Sequence, residues 1–288
     1  MSGGAAGEAA FTAARPRLRA LAYRFLGSMS DAEDVVQAAW LRWAAADQDG
    51  VAEPGAFLRR IVARLCLDEL KSARRKRESY VGPWLPEPVV ETDPLAGRAA
   101  AEEVSMALML ALERLSPLER AAYLLHDVFD GGSEEVAATL GRTPAAVRQL
   151  AARARAHVKQ ARPRFPVTPE EGQRIAAAFR AAAEGGDAAA LGRLLAADAV
   201  LRADGGGVVT SATKPVHGAD RIALFFAGLG RKGRLGTAHA PAWINGLPGH
   251  VTRFADGSVQ TMALEIEAGL VRAVYVVRNP AKLRGLMA

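Results

Sequence analysis

The sequence predicts a multidomain chain: two all-α domains, the second with a helix-turn-helix, followed by an α+β cone. Three observations predict it. Apolar residues recur at helical spacing from Phe11 to Val158, interrupted by a proline-rich stretch from Pro83 to Pro94. Gly132 to Val158 reads as two short helices joined by a tight turn, with a bare basic face on the second. From Val200 the signal changes to strands, and Asp256-Gly257 marks a two-residue hairpin turn.

Phe11 to Leu26 is a first helix, with Leu18, Leu21, Ala22 and Phe25 inward and Gly27 closing it. The second is expected to open on a capping box, Ser30 with Glu33, with Asp31 and Asp34 in a first turn whose dipole favours carboxylates. Val36, Trp40 and Trp43 then recur at i, i+4 and i+7. Two tryptophans on one short helix are either both core, or one edge docks on a partner with Asp34, Gln37 and Arg42 as its polar rim. A polar loop, Ala46 to Pro54, leads into a long helix from about Gly55 to Glu78 with Phe57, Leu58, Ile61, Leu65 and Leu70 inward. Its outer face carries Arg59, Arg60, Arg64, Lys71, Arg74, Arg75, Lys76 and Arg77 against only Asp68 and Glu69. A salt-laced solvent helix would mix the signs, so this strip reads as a phosphate-contacting surface.

The prolines from Pro83 to Pro94 forbid helix and central strand alike, leaving a stiff extended connector. Trp84 and Leu85 are too apolar for a free linker and should be docked. A helix resumes from Arg98 to near Leu115, with Val104, Leu108, Met109 and Leu112 inward. Ser116, Pro117 and Glu119 restart another through Tyr123, Leu124 and Val128, and Asp130, Gly131 and Gly132 end it. Ser133 is the expected cap of the next helix, whose Val136, Ala137 and Leu140 face inward, and Gly141 supplies the left-handed residue that stops it. Thr143 caps and Pro144 begins the last helix of this group. Val147, Leu150, Ala151, Ala154 and Val158 give it a buried side; Arg148, Gln149, Ala152, Arg153 and Arg155 stay outside. No acid occurs between Gly141 and Val167, so the run from Arg142 lies where DNA phosphates would sit.

Thr168 to Ala183 and Asp187 to Leu195 are helices. Strands follow: Asp204, Gly205, Gly206 and Gly207 make a turn or bulge, Val251 to Phe254 pairs with Val259 to Glu265, and Ala268-Gly269 turns into Leu270 to Val277. His217, His239, His250 and Asp256 are the available acid–base groups. Asp256 belongs to its turn and His217 to a loop, and no acid is paired with a base at catalytic spacing.

At 288 residues there is room for two or three domains. The net charge of +6 matters less than its distribution, with acidic and basic segments kept apart in the front half. Cys66, the lone cysteine, excludes an intrachain disulfide and a cysteine zinc site and reads as a core filler. No apolar run reaches membrane-spanning length, and Arg15, Arg17, Arg19 and Arg24 interrupt any signal-peptide core, so a cytoplasmic location is expected.

These pieces in this order resemble an extracytoplasmic-function (ECF) sigma factor of the sigma-70 class. Asp34 with Gln37, Arg64 with Asp68, and the run Thr143, Pro144, Ala145, Ala146, Val147, Arg148 with Arg153 and Arg155 fall at family positions; Leu65 stands where many members carry Asn. The stretch Trp84, Leu85, Pro86, Glu87, Pro88 resembles the linker of the subgroup with a fused C-terminal SnoaL-like domain. That domain's Asp-Gly-Gly-Gly motif is intact at Asp204 to Gly207, with Val208 in place of the usual lysine. Its terminal motif appears as Asn279, Pro280, Ala281, Lys282, Leu283, with Ala281 replacing an acid.

The resemblance implies sigma domain 2 in residues 1–80, a linker in 81–97, sigma domain 4 in 98–166 and a SnoaL-like cone in 167–288. It implies that Asp34, Gln37, Trp40 and Arg42 meet core RNA polymerase, whose clamp helices and flap are the expected contacts. Arg59, Arg60, Arg64, Asp68, Lys71, Arg74, Arg75 and Arg77 would meet the minus-10 element. Arg142, Thr143, Ala145, Arg148, Gln149, Ala152, Arg153 and Arg155 would meet the minus-35 element. The linker and cone motifs would regulate the whole in cis. Promoter DNA is thus an expected partner and a small molecule in the cone a further candidate; no catalysis, cofactor, metal or membrane contact is expected. The rival reading is a one-component, ligand-sensing helix-turn-helix regulator, for which no dimerisation helix is visible.

Overall fold

The structure, a computed structural model, describes residues 3–78, 80–91, 105–161, 167–236 and 238–287. The chain divides into two compact units, Met1–Glu78 with Leu108–Arg162, and Ser79–Ala107 with Pro163–Ala288.

The first unit is helical. Helix α1 (Gly3–Leu26) starts earlier than its apolar stripe predicts, because the Trp43 indole N–H donates to the Gly7 carbonyl at 2.9 Å and anchors the extra turns. Helix α2 (Met29–Ala44) is capped by Ser28, whose hydroxyl accepts from the Asp31 amide, and not by Ser30. Glu33, freed from a capping box, instead pairs with Arg15 and Arg19 of α1 at 3.2 and 3.1 Å. Helix α3 (Pro54–Glu78) buries Leu58, Val62, Ala63, Cys66 and Leu70; Phe57, Ile61 and Leu65 are only half-buried. The stripe is rotated from the predicted one toward Val62, Ala63 and Cys66, and Phe57 lies at its edge beside Trp43, ring centroids 5.6 Å apart.

Helix α4 (Met106–Glu113) buries Met109 and Leu112; the expected turns from Arg98 to Val104 lie outside the described residues. Helix α5 (Pro117–Tyr123) restarts where Ser116, Pro117 and Glu119 predict, on a capping box of Ser116 and Glu119, and runs into a π-helical turn, Leu124–Val128. Helices α6 (Ser133–Leu140) and α7 (Pro144–Ala161) meet at Gly141, φ +63°. The cap position of α6 is Gly132, not Ser133, and it makes no side-chain capping bond. Arg120 is buried in this unit; its guanidinium donates to the Phe25 carbonyl at 2.5 Å and to Glu113 at 2.9 Å.

The second unit packs helices α8 (Pro169–Glu184), α9 (Ala188–Leu194) and α10 (Ala219–Arg231) on a curved sheet. The strands are β1 (Val90–Glu91), β2 (Leu195–Asp204), β3 (Val216–His217), β4 (Ala238–Ile244), β5 (Leu247–Arg253), β6 (Val259–Glu267) and β7 (Leu270–Val277), in the order β1-β4-β5-β6-β7-β2-β3. The core lies between the helices and the sheet, where Phe179 meets Phe226 edge to face at 5.1 Å above Leu201, Leu264 and Val274. The sheet is mixed: β2 runs parallel to β7, while its other pairings are antiparallel. The β5–β6 turn is longer than the two residues predicted. Phe254 and Ser258 still pair, leaving Ala255, Asp256 and Gly257 as a three-residue loop with Gly257 left-handed. Helix α10 and strands β1, β3 and β4 are additions to the predicted elements.

Candidate nucleic-acid interface and linker clasp

Helix α7 is positioned by its cap and its buried stripe. The Thr143 hydroxyl accepts from the Ala146 amide at 3.2 Å, and Val147, Ala151, Ala154 and Val158 are buried, with Leu150 half-buried. Ala145, Arg148, Gln149, Ala152, Arg153 and Arg155 are therefore exposed together, and Arg142 and Thr143 extend that face into the turn. Two of the arginines are tethered: Arg153 to Glu119 at 2.9 Å and Arg155 to Asp127 at 2.6 Å. The Ser116 hydroxyl, then Arg153, hold the Glu119 carboxyl below its ordinary range against the opposing effect of burial. Arg148 and Gln149 have no side-chain partner among the described residues.

Helix α3 does not present its whole basic strip to solvent. Arg59 pairs with Glu135 of α6 at 3.3 Å, and Arg64 donates to the carbonyls of Ala138 and Thr139 at 3.3 and 3.4 Å. Those carbonyls end α6, where the helix dipole is negative, so Arg64 serves α6 as a C-terminal cation. Arg60 lies over the Phe57 ring at 5.1 Å, and Asp68 is exposed. The side chains of Lys71, Arg74, Arg75 and Arg77 lie outside the described residues.

On α2, the two tryptophans part company. Trp43 is core, while Trp40 is half-buried with its ring 4.9 Å from Phe11 and lines a cleft of about 510 Å³ with Gln37 and Val36. Asp34 and Gln37 are exposed, and Leu41, 65% exposed, joins them as an apolar member the sequence reading missed. Arg42 is exposed too, but falls on the far side of the helix from Trp40.

In the second unit the linker is held around one carboxylate. Asp204, fully buried at the end of β2, accepts from the Tyr80 hydroxyl at 2.5 Å and the Gly206 amide at 3.0 Å on one oxygen. Its other oxygen takes the Leu85 amide at 2.9 Å and the Lys282 ammonium at 2.7 Å. Lys282 also donates to the Leu85 carbonyl and sits 4.2 Å from the Trp84 ring centre. Asn279 donates to the Tyr80 oxygen at 2.8 Å, and burial, then the Asp204 carboxylate, push the Tyr80 phenol well above its ordinary range. The glycines fit for steric reasons: a Cβ on Gly205 would lie 2.2 Å from the Val209 carbonyl, and one on Gly206 2.5 Å from the Asn279 side chain. Leu85, Pro86, Pro88 and Leu283 are buried around this cluster, Glu87 and Pro280 half-buried, and Gly207 packs beside Val81.

Asn245 forms a second clamp that the sequence reading missed. Its side chain accepts from the Val89 amide at 3.2 Å, its own amide donates to the Val89 carbonyl, and its carbonyl accepts from Met106. The signal was present: Asn245 and Gly246 are both left-handed, the Asn-Gly hairpin pair, between β4 and β5. The structure also corrects the reading of the histidines. His239 Nε2 lies 3.0 Å from a Glu184 oxygen, brought near from a distant element but out of hydrogen-bond alignment, with Nδ1 on the Thr252 hydroxyl at 2.9 Å. His250 stacks edge-on at 5.4 Å, His217 pairs with β2 as part of β3 rather than a loop, and Asp256 accepts from Ser258 in its turn.

Comparison with known proteins gives matching family models for Sigma-70 region 2 over residues 10–76 and Sigma-70, region 4 over residues 105–158. The chain is 39% identical to the ECF RNA polymerase sigma factor SigJ of Mycobacterium tuberculosis, over 96% of this chain and 92% of that protein. The chain belongs to the ECF sigma-factor family. A second mycobacterial relative of this sigma factor, described as the probable ECF RNA polymerase sigma factor SigI of M. tuberculosis, is 32% identical over 98% of this chain and 96% of its own length. The crystal structure of SigJ superposes with a TM-score of 0.77 at 38% identity, covering 96% of this chain and 97% of that one. The likeness therefore spans the C-terminal α+β domain, in keeping with the SnoaL-like cone, as well as the helical regions of the sigma factor. Among the described residues, no helix is long and apolar enough to cross a membrane.

Proposed function

We propose that this sigma factor directs core RNA polymerase to a restricted set of promoters and that its cone regulates it in cis. The α2 edge of Asp34, Gln37, Trp40 and Leu41 suits docking on the polymerase clamp helices, with Arg42 as an outlying contact. The α3 strip would bind and open the minus-10 element, and the exposed face of α7 would read the minus-35 element in the major groove. Base-edge contacts there discriminate by roughly 1 to 3 kcal/mol each, and the arginines add salt-dependent affinity. Arg59 and Arg64 must leave α6 before both can serve DNA, so the arrangement in which they hold α6 is one the promoter complex has to open.

The observation that carries the regulatory part is the Asp204 cluster. It fixes Tyr80 through Leu85, the segment that joins α3 to α4 in the chain, to the cone. In vitro transcription tests both parts. Full-length protein with bacterial core polymerase, on the promoter upstream of its own gene, should give a discrete transcript that depends on both components. The chain cut after Phe165 should give a different yield on the same template. Equal yields would remove the regulatory role; no transcript from either form would remove the promoter reading.

A further inference from the structure

The cone contains a cavity of about 620 Å³, within the range that encloses a drug-sized molecule. Leu201 and Ala203 of β2, Phe225 and Leu229 of α10, Phe254 and Val276 form its apolar wall. The polar lining is small and of one sign: Arg234 and Arg278 supply two guanidinium groups beside Thr210, Ser211 and Gln260, and no carboxylate lines the space. Arg278 is held in place over the Phe254 ring at 5.3 Å and donates to the Thr210 carbonyl at 2.8 Å, which engages one of its five donors. Asp256 offsets its charge electrostatically from the β5–β6 turn, but its carboxylate is turned to Ser258.

We propose that this cavity binds a small apolar carboxylate, its hydrocarbon or aromatic body between α10 and the sheet and its carboxylate on Arg278 and Arg234. An uncharged apolar molecule would bring neither guanidinium an anionic acceptor within the cavity, and a polyanion would leave the apolar wall unused. A single planar carboxylate matches the guanidinium fork while its body fills the rest. None of His217, His239 and His250 lines the space, so the assignment is one of binding.

The cavity shares a segment with the linker clasp. Asp204 at one end holds Tyr80 and Leu85; Thr210 and Ser211 at the other line the cavity; and the Arg278 amide donates to the Asp204 carbonyl at 2.7 Å. A carboxylate seated on the Arg278 guanidinium acts on the residue whose backbone amide holds the Asp204 carbonyl, and is an effector of the sigma factor. This effector role rests on the regulation proposed above; the binding does not.

Titration calorimetry on the full chain tests the site with 2-naphthylacetate and decanoate, each beside its primary amide. Each acid should bind one to one, about tenfold or more tighter than its amide, as a charge-assisted contact requires. Arg278→Gln and the exposed Arg234→Gln should abolish that preference without abolishing amide binding, and Leu229→Trp should block acid and amide alike by filling the space. The Arg234 variant keeps the test sound if the Arg278 variant fails to fold. No binding by either acid, equal binding of acid and amide, or a preference that survives both arginine variants would each overturn the site. Adding a bound acid to the transcription assay should change transcript yield; binding with unchanged yield would overturn the effector role alone.

Discussion

Asp204→Asn keeps the shape of the clasp and removes its charge, so it isolates what the carboxylate does. Two oxygens now accept four donors, from Tyr80, Gly206, Leu85 and Lys282. An amide supplies one acceptor oxygen and turns an N–H₂ group on the other pair of donors. The severest loss is at Lys282, whose side chain is 11% exposed against a fully buried partner. Breaking such a pair from one side costs about 3–5 kcal/mol. Lys282 retains the Leu85 carbonyl and the Trp84 and Tyr80 rings, which sets the cost at the lower end, about 3 kcal/mol. The readout is hydrogen exchange across residues 80–91 in the full chain, where the Leu85 amide is a direct reporter. Exchange there should accelerate on the order of a hundredfold. Lys282→Met alone should accelerate it less, because the carboxylate keeps three donors, and the double variant should fall short of the summed effects by about 1.5 kcal/mol or more. Strictly additive effects, or acceleration by less than about tenfold in Asp204→Asn, would refute the view that this pair holds the linker.

Other outcomes follow from single contacts. Arg120→Met deletes two buried hydrogen bonds from a charged donor and should cost the helical unit about 3 kcal/mol in denaturant unfolding; a loss under about 1 would show that the network relaxes. Gly141→Ala should cost about 1–2 kcal/mol by the same measurement, purely from the left-handed backbone, since a Cβ there meets nothing within 4 Å; a neutral result would mean the turn relaxes. Burial, then the charges of His239 and Arg180, lower the His250 pKa to about 4. The unfolded chain takes up that proton near 6.5 and the folded one does not, so stability is full above that pH and falls as pH drops toward 4. Between pH 7 and 5 the cone should lose about 2 kcal/mol that His250→Gln does not lose, and parallel pH curves would contradict this. Arg148→Ala should weaken promoter binding and reduce its logarithmic salt slope by about one; an unchanged slope would place Arg148 away from phosphate.

What could be read from the sequence was local. Gly27, Gly141, the Ser116 and Glu119 box and Thr143 each act within a turn of their own position, and their geometry followed from residue type. Helix α10 was legible too: Ile222, Ala223, Phe226 and Ala227 make a single inward stripe, beside which Leu224 faces water and Phe225 lines the cavity. The α2 cap was misplaced because Ser28 and Ser30 are both good caps by residue type; Ser28 takes the Asp31 amide, and Glu33 goes to Arg15 and Arg19 of another helix. At the clasp the motif residues were legible as Asp204 to Gly207 and Lys282. That Lys282 meets Asp204, and that Asn245 grips Val89, are tertiary facts that no spacing encodes.

Strand β1 gives the linker one more meaning. Val90 and Glu91 pair with Ile244 and Trp243, so the outermost strand of the sheet is encoded more than a hundred residues ahead of the strand it covers. A cone produced alone from residue 167 would present β4 as an open edge, a row of unpaired backbone groups that recruits any extended chain, including another copy of itself. The fused arrangement shields the Trp243 and Ile244 end of that edge by supplying the edging strand at a fixed local concentration within the same polypeptide. The linker is thus a part of the cone's sheet as well as a connection in the chain, because the flank at Trp243 and Ile244 is uncovered whenever residues 90 and 91 are removed.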